Sequence, residues 1–317
     1  MTGLLTAATP APATSVVAAL TAALCWTVAT VLWRRLPASW TARRLNLCKT
    51  LLAFLLQLPL LTLVRWPAAQ GGALWLLALS GVVGIAWGDS LFFSALRRLG
   101  SRRSLTLTAG GPALTALAGL VTLREQPRAD QWLGIALISL SVVLVARQRP
   151  PDSQGEPHAP TGLPWAGLGL ALAAMACGSA GALLARVALR SGEVPVLLAS
   201  TVRLGAASLA LTPVVAELGP WPAPCPSLLR RWPTLLVATV LGTSLGILLQ
   251  QMALTGLPGG LAVALLSTSP VMALPFARLE GDRPGRGGLL AALAASAGVS
   301  LVAGVFPPLA RWMASGA

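Results

Sequence analysis

The sequence predicts an all-α membrane protein with ten transmembrane helices, arranged as two inverted five-helix repeats. Three observations support this fold class: a composition poor in charge, ten long apolar runs and an internal repeat. Charged residues make up 10% of the chain and hydrophobic residues 55%, and the mean hydropathy is +0.76. Soluble domains carry roughly 25% charged residues, so most of the surface of this protein must face lipid.

The apolar runs are long enough to cross a bilayer. A helix needs roughly 20 mostly apolar residues to span ~30 Å of hydrocarbon. Very short turns separate the third span from the fourth and the eighth from the ninth, which predicts two antiparallel hairpins. The ten predicted spans are residues 14–33, 45–64, 73–96, 104–123, 131–147, 164–185, 194–215, 233–254, 259–279 and 287–306.

A polar segment, residues 148–163, lies at the midpoint of the chain. It is rich in Pro, Gly, Ser and charged residues, which predicts a surface loop. It divides the chain into a first repeat, residues 14–147, and a second repeat, residues 164–306. The one histidine of the chain, His158, lies in this segment, and we assign it no role.

The two sides of this segment align with each other. The run CWTVATVLWR, ending at Arg34, matches CGSAGALLAR, ending at Arg186, at an offset of 152 residues. A unit of five spans crosses the membrane an odd number of times, so two units in tandem must have opposite orientations. Inverted repeats of this kind often place a binding site near the midplane. Further aligned pairs are Lys49 with Arg203, Pro59 with Pro213, Gly84 with Gly242, and Pro112 with Pro270.

Three ionisable residues, Lys49, Asp89 and Arg203, lie within the predicted spans. Each costs about 2.5–3.5 kcal/mol on insertion scales, so each needs an explanation. In one interpretation Lys49 and Arg203 create a positive field in a central substrate-binding cavity. In the other, Asp89 forms a structural ion pair with one of the bases. The repeat favours the first interpretation, because the basic position recurs in both halves.

Prolines inside spans predict breaks in the helices. Pro112 and Pro270 occupy aligned positions, and each removes a backbone donor and frees a carbonyl four residues earlier. They are either static kinks or hinges that line a cavity. The aligned Gly84–Gly88 and Gly242–Gly246 pairs predict close helix packing.

Uncharged polar residues at membrane depth complete the candidate binding site. Any one of them serves either as a substrate contact or as an interhelical hydrogen bond. They are Trp26, Asn46, Gln250 and Ser269.

The sequence contains no catalytic constellation. No span carries a histidine, and no paired carboxylates, nucleotide-binding motif or metal cluster is present, so we predict neither an enzyme nor a cofactor. The net charge of +14 comes largely from arginine pairs at the ends of spans. Nucleic-acid binding needs a continuous basic face with stacking aromatics, and the expected partners are instead the bilayer and a small molecule.

The order of these features is similar to that of a known family. WGDSLFFSALRRLGSRRSLTLTAGGPALTALAGLVTLREQP in the first half and LGTSLGILLQQMALTGLPGGLAVALLSTSPVMALPFARLEGDRP in the second resemble the ten-helix EamA type of the drug/metabolite transporter superfamily. In both, an Ala-Leu pair ends one helix, and a proline interrupts the next. The resemblance covers about residues 14–306.

The resemblance implies a multi-pass carrier in the inner (plasma) membrane that moves small metabolites, such as amino acids, by alternating access. With the two basic residues it favours anionic or zwitterionic substrates, coupled to a proton or a counter-substrate. The first span has no carboxylate, which argues against the cation efflux route of small multidrug members. A passive channel or scramblase and a membrane-embedded enzyme acting on lipid-linked substrates are the alternatives.

The distribution of basic residues bears on orientation. Fifteen of the 23 Lys and Arg residues flank the loops after odd-numbered spans, and six flank the other face. The positive-inside rule therefore places both termini outside, whereas the resemblance implies termini in the cytoplasm. The orientation stays open at this point, as does the oligomeric state.

Overall fold

The computed structural model describes residues 12–34, 42–64, 71–147, 165–216, 232–279 and 286–304. The predicted linker 148–163, with His158, lies outside the described residues. Within these described segments, ten helices are long and apolar enough to span a membrane, which confirms the predicted count. They are α1 (Ala13–Trp33), α2 (Arg43–Leu63), α3 (Gly71–Leu96), α4 (Ser104–Leu123), α5 (Ala129–Arg147), α6 (Trp165–Leu189), α7 (Val196–Pro213), α8 (Trp232–Gly256), α9 (Gly259–Phe276) and α10 (Arg286–Ala303).

The outer faces of these helices carry large apolar side chains. Val121 is 80% exposed and Leu209 76% exposed, and both lie in the middle or later part of a span. Such exposure would be costly in water but is favourable against lipid tails. Small residues dominate the inner faces, which lets neighbouring helices approach closely.

The helix contacts follow an internal two-fold symmetry. Helix α1 packs against α8 and α9, and its repeat partner α6 packs against α3 and α4. Three further pairs, α2–α7, α4–α9 and α5–α10, join each helix to its own repeat partner. Helices of the two halves are therefore packed against each other throughout these contacts, as expected for inverted repeats.

Helices α3 and α8 each contain a π-helical segment. These segments are Val82–Asp89 in α3 and Val240–Leu245 in α8. Their first residues are separated by 158 positions, the same offset that aligns Gly84 with Gly242. A π-helical turn widens the helix and leaves its backbone hydrogen bonds out of the usual register, and such turns are frequent at functional sites.

The chain reverses between α3 and α4 without leaving a helical conformation. Residues Ser90–Thr108 form one continuous helical stretch, in place of the predicted short turn. Positions along α6 nevertheless show the reversal. From Gly84 to Leu99 the contacts move from Gly181 to Gly167, and by Gly110 they have moved back to Met175. The predicted antiparallel hairpin therefore forms through a helical bend.

Helices α4 and α9 are each broken where their prolines predict it. Helix α4 is interrupted at residues 109–110, just before Pro112. Helix α9 is interrupted at residues 267–268, just before Pro270, and again before Pro275. Because these prolines cannot donate a backbone hydrogen bond, each break leaves carbonyl groups available to partners from other helices.

Candidate functional site

Lys49 and Asp89 form an ion pair between α2 and α3. The Lys49 Nζ atom lies 2.8 Å from an Asp89 carboxylate oxygen and 5.4 Å from the centroid of the Phe93 ring. The Asp89 side chain is 39% exposed. An ionised carboxylate facing lipid is expensive, so this exposure indicates that Asp89 faces an aqueous space.

Arg203 has a different environment. It is 3% exposed, and its Nη1 atom donates a hydrogen bond to the Gln250 Oε1 atom of α8 at 3.2 Å. Its Nε atom has no hydrogen-bond partner among the residues that the structure describes. Within the described segments, no carboxylate lies at ion-pair distance from this guanidinium, although a buried charge normally requires one.

Two glycines in α3 make room for Arg203. A methyl group at Gly81 would collide with the Arg203 backbone. A methyl group at Gly84 would lie 3.5 Å from the Arg203 Nη2 atom. Helix α7 therefore lies directly against the start of the π-helical segment, and the guanidinium sits one to two turns before Asp89.

A polar network joins α2, α7 and α8. Gln57 donates from its Nε2 atom to the Ser244 carbonyl at 2.9 Å and accepts from the Thr201 hydroxyl at 3.1 Å. Nearer the start of α2, Asn46 donates to the Ile85 carbonyl at 3.2 Å. Its Oδ1 atom has no hydrogen-bond partner in the described part of the chain. The predicted Asn46 thus lies beside the π-helical segment of α3.

The breaks in α4 and α9 receive symmetry-related hydroxyl contacts. Thr27 of α1 donates to the Ser269 carbonyl at 2.9 Å, in the break of α9. Its repeat partner Ser179 of α6 approaches the Gly111 carbonyl at 3.5 Å, in the break of α4. These contacts meet the need of a broken helix for a partner at membrane depth, and they place the predicted Ser269 in an interhelical bond.

Trp26 packs between helices. A methyl group at Gly246 would collide with the Trp26 ring nitrogen and the adjacent ring carbon, so this edge of the ring lies against Gly246 of the GxxxG motif in α8. The matching glycine of α3, Gly88, faces Gly178 of α6. The predicted residues thus form three groups: Lys49 with Asp89 and Asn46, Arg203 with Gln250, and Trp26 with the Thr27–Ser269 contact.

A buried ion pair that the sequence interpretation missed joins the end of α4 to α6. Arg186 of α6 donates from its Nε atom to a Glu125 carboxylate oxygen at 2.9 Å. The second oxygen of Glu125 accepts the Gly259 backbone N–H at 2.8 Å. Arg186 also donates to the carbonyls of Leu254 and Thr255 at 2.8 and 2.9 Å. The available signal was that Arg186 ends the repeated ten-residue run and Glu125 follows α4 directly.

A cavity of about 400 Å³ lies towards the opposite end. It is bounded by the start of α2, the second half of α3, the start of α6 and the end of α7. Lys49, Asp89 and Arg203 do not line it, although Ser90 follows Asp89 directly. Its lining residues are Arg43, Ala86, Trp87, Ser90, Leu91, Ser94, Leu170, Ala210 and Leu211.

The described residues include no group of three His, Cys, Asp or Glu side chains that could hold a metal ion. Cys25, Cys48 and Cys177 are free thiols.

Comparisons with known proteins fit this architecture. A crystal structure titled only as that of a protein matches the chain with a TM-score of 0.73, at 17% identity, over 95% of this chain and 99% of the other. At that identity the likeness shows the fold alone. No curated protein sequence matches the chain. The EamA-like transporter family matches twice, at residues 13–147 and 165–304, once in each repeat. The chain therefore belongs to the EamA-like transporter family of the drug/metabolite transporter superfamily.

Proposed function

We propose that this protein is a secondary-active carrier in the inner membrane that exports or exchanges small polar metabolites, such as amino acids and related anionic or zwitterionic compounds, by alternating access. The family supports membrane transport. The inverted repeat supports a central binding site and a mechanism with two related states.

The buried guanidinium of Arg203 is the observation that supports an anionic or zwitterionic substrate. It lies beside Gly84 and is bonded to a neutral amide, with one donor unused. A carboxylate of the substrate would supply the missing counter-charge, and arginine binds carboxylates through paired hydrogen bonds. Asp89, which is paired with Lys49 and partly exposed, would interact with the amino group of a zwitterion or take up a coupled proton.

The decisive test replaces Arg203 with Met, which keeps the length of the side chain and removes the charge. We expect uptake or exchange of anionic and zwitterionic metabolites by proteoliposomes to fall about 10–100-fold, because each hydrogen bond to a charged group contributes about 1.5–3 kcal/mol. Folded yield should not fall, since a buried cation without a carboxylate partner is itself a cost.

Lys49→Met is the matched control, because it removes the aligned cation from a pair that is already neutralised. It should lower stability more than Arg203→Met and lower transport less. Unchanged transport in Arg203→Met, or loss of folded protein equal to that in Lys49→Met, would contradict the proposed site.

The two alternatives predict different observations. Saturable flux and accelerated exchange against internal substrate identify a carrier, whereas a channel or scramblase gives linear flux. An enzyme acting on lipid-linked substrates would return chemically altered compounds. Recovery of an intact substrate from the far compartment excludes that reaction.

A further inference from the structure

We propose that Glu125 and Arg186 form a gate that holds one end of the transport pathway closed, and that breaking this pair is the step that opens that end. The inference rests on the proposed alternating-access mechanism but concerns a different part of the molecule. The pair joins α4 of the first repeat to α6 of the second, and both side chains are largely buried, at 9% and 13% exposed.

Helix ends from the second repeat complete the gate. Glu125 accepts the Gly259 N–H at the start of α9, where the positive end of a helix dipole favours an anion. Arg186 donates to the carbonyls of Leu254 and Thr255 in the last turn of α8, where the dipole favours a cation. One ion pair thus connects four helices, and its polarity matches both helix ends.

The helices are packed more closely at the end that contains Glu125 and Arg186 than at the opposite end, as expected if one end is closed. At this end α8 and α9 pack against α6. At the other end, the repeat partners α3 and α4 show no comparable packing against α1 among the residues that the structure describes. The cavity lined by Arg43 and Ser94 lies towards that less packed end.

The residue before Glu125 is held in an uncommon backbone conformation. Arg124 has φ of 54° and lies in the left-handed region, which costs a non-glycine residue roughly 1–2 kcal/mol. This conformation ends α4 and turns Glu125 back, so that its N–H bonds to the Gly119 carbonyl at 3.2 Å. The Glu125 carboxylate can then reach both Arg186 and the start of α9.

The test measures access to a cysteine at each end in protein from which Cys25, Cys48, Cys177 and Cys225 have been removed. Thr115→Cys reports on the closed end, because Thr115 is fully buried and faces Gly259. Ser94→Cys reports on the cavity. In nanodiscs without substrate, Glu125→Gln should raise the labelling rate of Thr115→Cys by a hydrophilic thiol reagent about tenfold or more, and should slow that of Ser94→Cys.

The reciprocal change separates gating from loosening. If Glu125→Gln merely destabilised the fold, both cysteines would react faster, and the proposal would fail. Unchanged rates at both cysteines would also overturn it. Labelling needs no transported substrate, so a negative transport assay would leave this result standing.

Two further variants sharpen the test. Asp130→Asn breaks the Arg128–Asp130 ion pair, which has an N–O distance of 2.7 Å and lies near the same end within one repeat, so it should leave both rates unchanged. The exchanged pair Glu125→Arg with Arg186→Glu should remain open, because each charge would then face the unfavourable helix end. Restored closure in the exchanged pair would show that the helix ends play no part.

Discussion

At the residue scale, the aligned basic positions of the two repeats have different roles in the structure. Lys49 is neutralised by Asp89 at 2.8 Å, whereas the Arg203 guanidinium donates to the neutral side-chain amide of Gln250. The sequence showed both positions but could not separate a substrate-binding cation from a structural pair. That distinction depends on which helix faces bring a carboxylate within ~4 Å, and span order alone does not determine it.

Exposure limits how much the Lys49–Asp89 pair stabilises the protein. Asp89 is 39% exposed, so solvent screens the attraction. We expect a double-mutant cycle of Lys49→Met and Asp89→Asn to give a coupling energy of about 0.5–1 kcal/mol, measured from apparent melting temperatures and unfolding in mild denaturant. A coupling of 3 kcal/mol or more, typical of a dry buried pair, would place Asp89 away from water and weaken its proposed contact with substrate.

At the element scale, the breaks in α4 and α9 could be predicted, but the π-helical segments could not. A proline removes a specific backbone donor, so the breaks before Pro112 and Pro270 follow from the chain itself. The register shifts at Val82–Asp89 and Val240–Leu245 arise where small residues let α6 and α1 approach. Local sequence does not specify which carbonyl each N–H then selects.

The same limit explains why the gate was missed. Glu125 and Arg186 stand at the ends of spans, where charged residues usually extend towards the interface. Only the crossing of α4 and α6 brings them together away from water. Residues deep in a span, such as Asp89 and Arg203, are easier to recognise as candidates because their burial is costly in any arrangement.

The close approach of α3 and α6 can be tested with two glycines on one helix. A methyl group at Gly181 would lie 2.7 Å from the Gly84 Cα atom, whereas one at Gly178 would meet nothing within 4 Å. We expect Gly181→Ala to destabilise the protein by about 1–3 kcal/mol through overpacking. Gly178→Ala should be neutral or stabilising by up to ~1 kcal/mol, because alanine favours the helix.

Apparent melting temperatures of the two purified variants would measure this difference. Equal shifts in Gly181→Ala and Gly178→Ala would mean that α3 and α6 are not in backbone contact. Helix propensity would then account for both effects.

At the scale of the whole molecule, the two halves are alike in sequence, but their helices are packed differently at the two ends. The end at which α4, α6 and α8 finish is closed by Glu125 and Arg186. A cavity of about 400 Å³ lies towards the opposite end. The proposed alternating access would require a second arrangement in which the packing of the two ends is exchanged, and the repeat symmetry is compatible with one.

Symmetry also supplies a matched pair of reporters for this asymmetry. Ser94 in α3 and Met252 in α8 are separated by the repeat offset of 158 residues. Ser94 lines the cavity, whereas the Met252 carbonyl accepts a hydrogen bond from Ser15 of α1. In protein that keeps Glu125 and Arg186, we expect Ser94→Cys to react with a hydrophilic thiol reagent at least about tenfold faster than Met252→Cys. Equal rates would contradict the proposed difference in access between the two ends.

The paired π-helical segments also bear on how this chain arose. A register shift that begins at Val82 in one half and at the aligned Val240 in the other is explained most simply by inheritance from one ancestral unit. The contacts α2–α7, α4–α9 and α5–α10, each joining a helix to its own counterpart, would be self-contacts between two copies of such a unit. A protein made of one such unit would reproduce these contacts only as an antiparallel homodimer, with its five-helix chain inserted into the membrane in both directions. Joining two such units in one chain would fix one copy in each direction and allow aligned residues to take different partners, as Lys49 and Arg203 do.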